Sequence, residues 1–368
     1  MDPRLWMRLH ELEADWKVIV RWLPDLQTSA RESGLLKAQR GIKEADTWLR
    51  LMLMHIAGGL SLKQTAGRAR EQGLATLSPV ALHKRLVLAQ PWLHLLGSHL
   101  LKEQNQILGS SHWPKQWRFR LIDATDINEP GATGTDWRIH YSLRLPEMLC
   151  DHYEITDKHG GEKLGRFVFA PGEIILADRG YNHREGAAQV LQAGAHLLMR
   201  LSLHNFPLED EAGEAFSPLE SLQSLAVGET WERPVRFVWR KKAYAARLCV
   251  LRKSQAATEQ ALRKIRRKAG KSSQKAGTAA LSSAPFVIVL TSLPQAQWTT
   301  AQVLETYRCR WQVELAFKRM KSLMQLGCLP KTSDASARSW VQGKVLFALL
   351  IERLLWESKC VSPWGYRL

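Results

Sequence analysis

The sequence predicts a mixed α/β protein preceded by an all-helical N-terminal part, and three observations carry that prediction. Up to about residue 110, apolar residues recur at helical spacing. From Arg118 onward, short apolar or alternating runs read as strands. Near the end, the stretch Tyr307 to Lys321, YRCRWQVELAFKRMK, holds no Gly, Pro, Asn or Asp and reads as one unbroken helix.

In the N-terminal part, Trp6, Leu9, Leu12 and Trp16 share one helical face, as do Leu49, Leu53 and Ile56. Gly58, Gly59 and Ser61 punctuate. Ser61 is placed to cap a helix through Arg70, the Gly73 region to turn, and Ser78 with Pro79 to start a second helix through Leu86. The pair fits a helix-turn-helix, with Lys63, Arg68, Arg70, Lys84 and Arg85 offered to DNA phosphates or a groove. It fits an ordinary helical hairpin with a solvated basic face equally well.

Near Trp113 the pattern changes. RFRLIDATDI is an apolar strand ending in Asp123 and Asp126, and Gly131 to Thr135 is a turn or loop. WRIHYSLRL and MLCDHYEITD alternate as antiparallel strands do. RFVFAPGEIILADRGY is a further apolar strand ending in Asp178; His183 to Ala193 is helical and HLLMRLS is again a strand. Two strands that each deliver an aspartate at the C-terminal end can place both carboxylates side by side. Such a pair repels itself, and a divalent cation with a preference for oxygen resolves the conflict. Either aspartate alone equally suits the start of a turn.

Residues 203–285 interrupt this order. The acidic loop LEDEAGEAF precedes WERPVRFVWRKKAYAARLCVLRK, which has strand character. Arg252 to Lys275 carries nine Lys or Arg against the single acid Glu259, as a solvated arm or a DNA-backbone contact would. PFVIVLTSL is a buried-type strand, and Thr299 or Thr300 can cap the helix that follows. The last helix, Ala335 to about Ser358, offers Trp340, Val341, Val345, Leu349 and Leu355 to the core.

On a helical wheel of about 100° per residue, Tyr307, Arg310, Glu314 and Lys321 fall within an arc of roughly 60°. An apolar stripe of Val313, Phe317, Met320 and Met324 runs beside them and can dock the helix. A carboxylate flanked by cations suits a place where metal and phosphate meet; it also suits a surface ion pair between Arg310 and Glu314.

With 52 Lys and Arg against 35 Asp and Glu, the 368-residue chain carries a net charge of +17. A folded chain that basic points to a polyanionic partner. Its start mixes acids and bases among apolar residues, unlike a signal peptide, and no uncharged apolar run reaches the length of a membrane span. The five cysteines are scattered and form no CxxC pair, which fits a reducing cytoplasm and indicates neither a disulfide scaffold nor a zinc site.

Three motifs occur in order: IDATD, GGEKLGRFVFAPGEIILADRGY and Y-x2-R-x3-E-x6-K. Together they resemble the DDE transposases of bacterial insertion sequences, nearest the Tyr-Arg-Glu-Lys signature subgroup, the insertion-sequence-four family, over about Arg118 to Gln325. The resemblance implies an RNase H-like catalytic core, a mixed sheet flanked by helices, with a β-rich insertion after the second aspartate. It implies a catalytic, metal-holding triad of Asp123, Asp178 and Glu314. Tyr307, Arg310 and Lys321 match the positions that hold DNA in the family, and Trp311 beside them is a candidate for stacking. Asp123 is preferred to Asp126 because it opens the Asp-Ala-Thr run. The implied cofactor is a pair of Mg²⁺ ions, with Mn²⁺ as a substitute. The implied partners are terminal inverted repeats and target DNA, bound by a homodimer on the bacterial nucleoid, with no membrane.

The expected organisation is a helical DNA-binding part at 1–110, the first part of the core at 111–202, the insertion with its basic arm at 203–285, and the remainder of the core at 286–368. The implied function is metal-dependent cleavage and strand transfer at insertion-sequence ends, in cut-and-paste transposition. A structure-specific nuclease on the same fold would cut without joining. A non-catalytic basic DNA-binding protein would need neither the acids nor the metal.

Overall fold

Asp25, Ser61 and Ser78 each satisfy a free N–H group at the start of an N-terminal helix. The structure, a computed structural model, describes residues 15–36, 41–110, 118–129, 131, 136–271, 277–327, 329–330 and 333–359. The expectations for Trp6, Leu9, Leu12, Trp113 and most of the Gly131 to Thr135 turn lie outside these residues. Among the described residues, 15–20 are helical, and five further helices follow: α1 (Leu26–Glu32), α2 (Ala45–Ile56), α3 (Leu62–Glu71), α4 (Pro79–Val87) and α5 (Gln90–Gly109). Ser61 and Gln64 form a reciprocal capping box on α3. The Ser78 hydroxyl accepts the Ala81 N–H on α4, whose first residue is Pro79. Gly73 turns the chain between them at φ +65°.

Strands follow: β1 (Phe119–Ile127), β2 (Trp137–Leu145), β3 (Leu149–Asp157), β4 (Ile174–Ala177) and, after helix α6 (Arg184–Gln192), β5 (His196–Arg200). The insertion adds β6 (Leu208–Glu209), β7 (Ala215–Phe216), α7 (Leu219–Leu222), β8 (Thr230–Trp239), β9 (Lys242–Arg252), α8 (Gln255–Lys271) and α9 (Thr278–Ser282). The chain then forms β10 (Phe286–Thr291), α10 (Thr300–Arg308), α11 (Trp311–Ser322) and α12 (Asp334–Lys359). All strands join one sheet in the order β3-β2-β1-β4-β5-β10-β9-β8-β6-β7. The first three are antiparallel, while β1–β4 and β4–β5 are parallel, with α6 crossing between them. This is the RNase H-like arrangement. The strands of the insertion extend that sheet, and the acidic loop expected at Leu208 to Phe216 is a small hairpin.

Residues alternate between two buried faces. Leu121, Leu176, Leu198 and Cys249 face a core shared with α2, α5, α11 and α12. Ile122, Ala177, Met199 and Leu248 face a second core closed by α6. On α12, Trp340, Val341, Val345 and Leu349 are buried as expected, whereas Leu355 is exposed, because it lies on the helix's last turns.

Register at the N-terminal end of β1 is fixed by buried charge. Arg120 and Arg144 both engage Asp151 and Glu173 across β1 to β4. A slip of one residue would turn these groups to the other face, so register is strongly specified.

The insertion also anchors the last part of the core. Buried Arg247 on β9 donates to the Leu293 and Trp298 carbonyls and to Glu232 on β8. Glu232 in turn accepts the Thr300 hydroxyl at the start of α10. Of the two expected caps, Thr299 is the one that forms a capping box with Gln302. Replacing Arg247 by Met would strand two carbonyls and leave Glu232 without its cation. Arg247→Met is therefore expected to lower the unfolding free energy by about 3 kcal/mol, measured by urea denaturation.

Candidate active site

Strand pairing brings the two aspartates together. Ile122 of β1 lies opposite Ala177 of β4 in parallel register, so the next residues, Asp123 and Asp178, sit side by side. Each continues the face set two residues earlier by Leu121 and Leu176. Asp123 is deeply set, with its side chain 14% exposed. Burial, then Asp178 and Glu162, push its carboxyl up to about 7, against the Ala124 N–H and Arg310.

The third acid arrives on α11. The Phe317 ring packs edge-on against Tyr141 at 5.7 Å, and Tyr141 is the β2 partner of Asp123. Val313 and Met320 are buried beside Phe317. Glu314, one turn before Phe317, is thereby delivered over the end of β1. Arg310 joins the two: one guanidinium nitrogen is 3.4 Å from Asp123 Oδ2 and the other donates to Glu314 Oε1. Burial opposes the Arg310 charge, but Tyr307, Glu314 and Asp123 hold it firmly protonated. Asp123, Glu314, Lys318 and Lys321 line one cleft of about 510 Å³.

The stretch Tyr307 to Lys321 is two helices rather than one. α10 ends at Arg308, and tight bonds from Arg310 N–H to the Tyr307 carbonyl and from Val313 N–H to the Arg310 carbonyl turn the chain into α11. The break lets Tyr307 face the sheet while Arg310 and Glu314 face the strand ends. Tyr307 is 8% exposed, and its hydroxyl donates to the Ala177 carbonyl at 3.3 Å, next to Asp178. Burial raises that phenol to about 12. Trp311 is 56% exposed and lines a cleft with Arg200, Tyr307, Arg308 and Arg310. Asp126 is outside the site, exposed and paired with Arg138 at 2.7 Å.

The ADRGY run has a local explanation. Asp178 accepts the Gly180 N–H. A Cβ on Gly180 would lie 1.6 Å from Glu162 Oε2, so only glycine lets that carboxylate approach. Glu162 is raised by burial and by Asp178, with Arg138 opposing. Nothing marks Glu162 in the sequence beyond its place in GGEKLGRF; folding alone brings it here. Tyr181 is fully buried, and its hydroxyl has no partner among the described residues although Asp123, Glu162 and Asp178 surround it electrostatically.

Among the described residues, no three His, Cys, Asp or Glu are close enough to close around a metal ion. Arg310 stands between Asp123 and Glu314 and separates the third acid from the first two. The donor set nevertheless fits a divalent cation. It is all carboxylate, two members repel each other, a buried hydroxyl points in unpartnered, and a cation already bridges Asp123 and Glu314.

Away from this site, Lys63, Arg68, Arg70 and Lys84 are exposed on α3 and α4. Arg85 is turned inward instead: it donates to the Leu35 carbonyl and lies over the Trp48 ring at 5.3 Å, because that ring and carbonyl stand within its reach. No helix among the described residues is long and apolar enough to cross a membrane.

Residues 148–351 match the family described as the transposase DDE domain; Asp178 and Glu314 lie in that span and Asp123 precedes it. The chain is 33% identical to the protein InsL of insertion sequence element IS186A from Escherichia coli K12, named as a transposase, over 95% of this chain and 96% of that one. It is equally 33% identical to the transposase for insertion sequence element IS421 of Escherichia coli, with the same coverage. Identity to the transposase for IS231F of Bacillus thuringiensis subsp. israelensis is 23%, over 91% of this chain and 78% of that one.

The buried repulsion around Asp123 gives a pH signature. A folded-state carboxyl raised to about 7 destabilises the fold wherever it is ionised, so this cost grows as pH rises from about 4 to about 7. In EDTA at about pH 8, Asp123→Asn is expected to raise the unfolding free energy by roughly 1–4 kcal/mol. At about pH 4, where the carboxyl is protonated, urea curves of variant and wild type should nearly coincide.

Proposed function

This chain belongs to the DDE transposases of bacterial insertion sequences, and we propose that Asp123, Asp178 and Glu314 are its catalytic acids. It is an enzyme that acts on DNA in transposition, with the divalent-metal dependence of that family. The observation that supports the assignment best is the pairing of Asp123 with Asp178 on neighbouring parallel strands, with Glu314 joined to Asp123 through Arg310. The non-catalytic binder and the stand-alone nuclease are not favoured by the relatives.

Two Mg²⁺ ions held by Asp123, Asp178 and Glu314, with Mn²⁺ as a substitute, would activate the attacking oxygen and neutralise the leaving one. The protein's own residues do the rest. Asp123 and Asp178 concentrate negative charge at one point of a rigid sheet. Arg310 neutralises Asp123 and Glu314 while DNA is absent, and its planar donors suit a phosphate once DNA arrives. Lys321 reaches the rim of the cleft, where a neighbouring phosphate would pass. Trp311 offers an exposed ring to a displaced base. Tyr307 acts from inside, tying α10 to the carbonyl before Asp178. These placements support membership of the Tyr-Arg-Glu-Lys signature subgroup.

In this reading water first breaks the backbone P–O3′ bond at the element end. The freed 3′-hydroxyl then attacks a phosphorus of the opposite strand, giving a hairpin, or of the target, and in each case the attacked strand's P–O3′ bond breaks and its 3′-oxygen leaves as a hydroxyl. Lys63, Arg68, Arg70 and Lys84 would bind the terminal inverted repeats, with a homodimer holding two ends, in the bacterial cytoplasm on the nucleoid.

Asp123→Asn, Asp178→Asn and Glu314→Gln are each expected to reduce cleavage of DNA carrying the element end by about three orders of magnitude or more, in Mg²⁺. Binding of the same DNA should persist. A Glu314→Gln protein that cuts and joins a pre-cleaved 3′-hydroxyl end at the wild-type rate would remove Glu314 from the triad.

A further inference from the structure

The row of acids across the strand ends continues as a row of cations. Register places Met199 of β5 opposite Ala177, so Arg200 falls beside Asp178 as Asp178 falls beside Asp123. Arg200 shares the face of Leu198, the same face as both acids. It lines the cleft that holds Tyr307, Arg310 and Trp311. Lys253 continues the matching face of β9 beyond Cys249 and Leu251, at the same end of the sheet. Arg179 follows Asp178 directly and is exposed.

Among the described residues, Arg179, Arg200 and Lys253 make no ion pair with an acid. Glu305, the acid that lines the cleft with Arg200, is taken by Arg308 at 2.8 Å. Among the described residues, Arg200 Nε is buried with no hydrogen-bond partner, and the one acceptor of Lys253 Nζ is the Ala284 carbonyl. Burial first, then Arg200 and Arg179, push the Lys253 ammonium down to about 8. A buried donor and clustered like charges are costly unless a ligand answers them.

We propose that Arg179, Arg200 and Lys253 form a phosphodiester subsite, distinct from the acids, that grips a backbone phosphate of DNA next to the one being cut. It rests on the reading of Asp123, Asp178 and Glu314 as the cutting site. Neighbouring strands are about 4.8 Å apart, so the subsite begins one strand spacing beyond Asp178, within reach of an adjacent phosphate on the same strand. Lys253 belongs to the insertion, just before the basic helix α8, so the grip joins core and insertion on one stretch of DNA.

The test measures binding of the full chain to a duplex of the sequence that abuts its coding region, by fluorescence anisotropy in EDTA over a range of salt. Arg200→Gln and Lys253→Gln are each expected to weaken binding several-fold and to reduce the log–log salt slope by about 0.9. Arg200→Lys, which keeps the charge, should restore the slope; circular dichroism confirms folding. Unchanged slopes in both folded Gln variants would overturn the subsite. Because the readout is metal-free, acid variants that still cut would sink the catalytic reading alone. Acid-dependent cutting with unchanged slopes would sink the subsite alone.

Discussion

Two carboxylates forced together by the parallel pairing of β1 and β4 set the terms for everything around them. Asp123 and Asp178 cannot both be comfortable as anions at that separation, and burial sharpens the conflict. The fold could relieve it by slipping one strand, but the buried Arg120, Arg144, Asp151 and Glu173 group at the far end of the same strands holds the register. Charge is thus stored at one end of β1 and locked from the other. Strain of this kind, sustained by surrounding structure, is expected where chemistry is done.

The remaining parts supply positive charge at graded distances. Arg310 sits against the acids themselves, between Asp123 and Glu314, and behaves as a resident counter-ion. Lys318 and Lys321 stand at the rim of the cleft, and Arg200 lines the neighbouring cleft with Arg310 and Trp311. The helices that carry these groups are pinned at two points, Tyr307 on the Ala177 carbonyl and Phe317 on Tyr141. The insertion takes part through Arg247, which clamps the loop leading into α10. A disturbance of the β8–β9 hairpin therefore reaches Arg310 through a short run of packed, hydrogen-bonded structure.

Much of this was legible in the sequence because it is local. Strands with an aspartate at the end, helices capped by Ser61, Ser78 and Thr299, and a polar cluster beside an apolar stripe follow from spacing and residue type. What spacing could not show depends on tertiary contact. The helix break at Cys309 and Arg310 carries no Gly or Pro; it arises because Tyr307 is drawn to the sheet and Arg310 to the acids. Arg85 looks like its basic neighbours until Trp48 folds beneath it. Glu162 lies sixteen residues before Asp178, and only the missing Cβ of Gly180 admits it. The merging of the insertion's strands with the core sheet is a long-range pairing that no local pattern records.

For Asp123, Asp178 and Glu314 to surround divalent metal, as proposed, Arg310 must yield its bonds to Asp123 and Glu314. The most direct measurement is anomalous scattering from crystals of the protein grown with Mn²⁺. The expected result is an anomalous peak within ligand distance of both Asp123 and Asp178, with Glu314 released from Arg310 and turned toward it. A well-occupied peak elsewhere, with Arg310 still bridging Asp123 and Glu314, would contradict it.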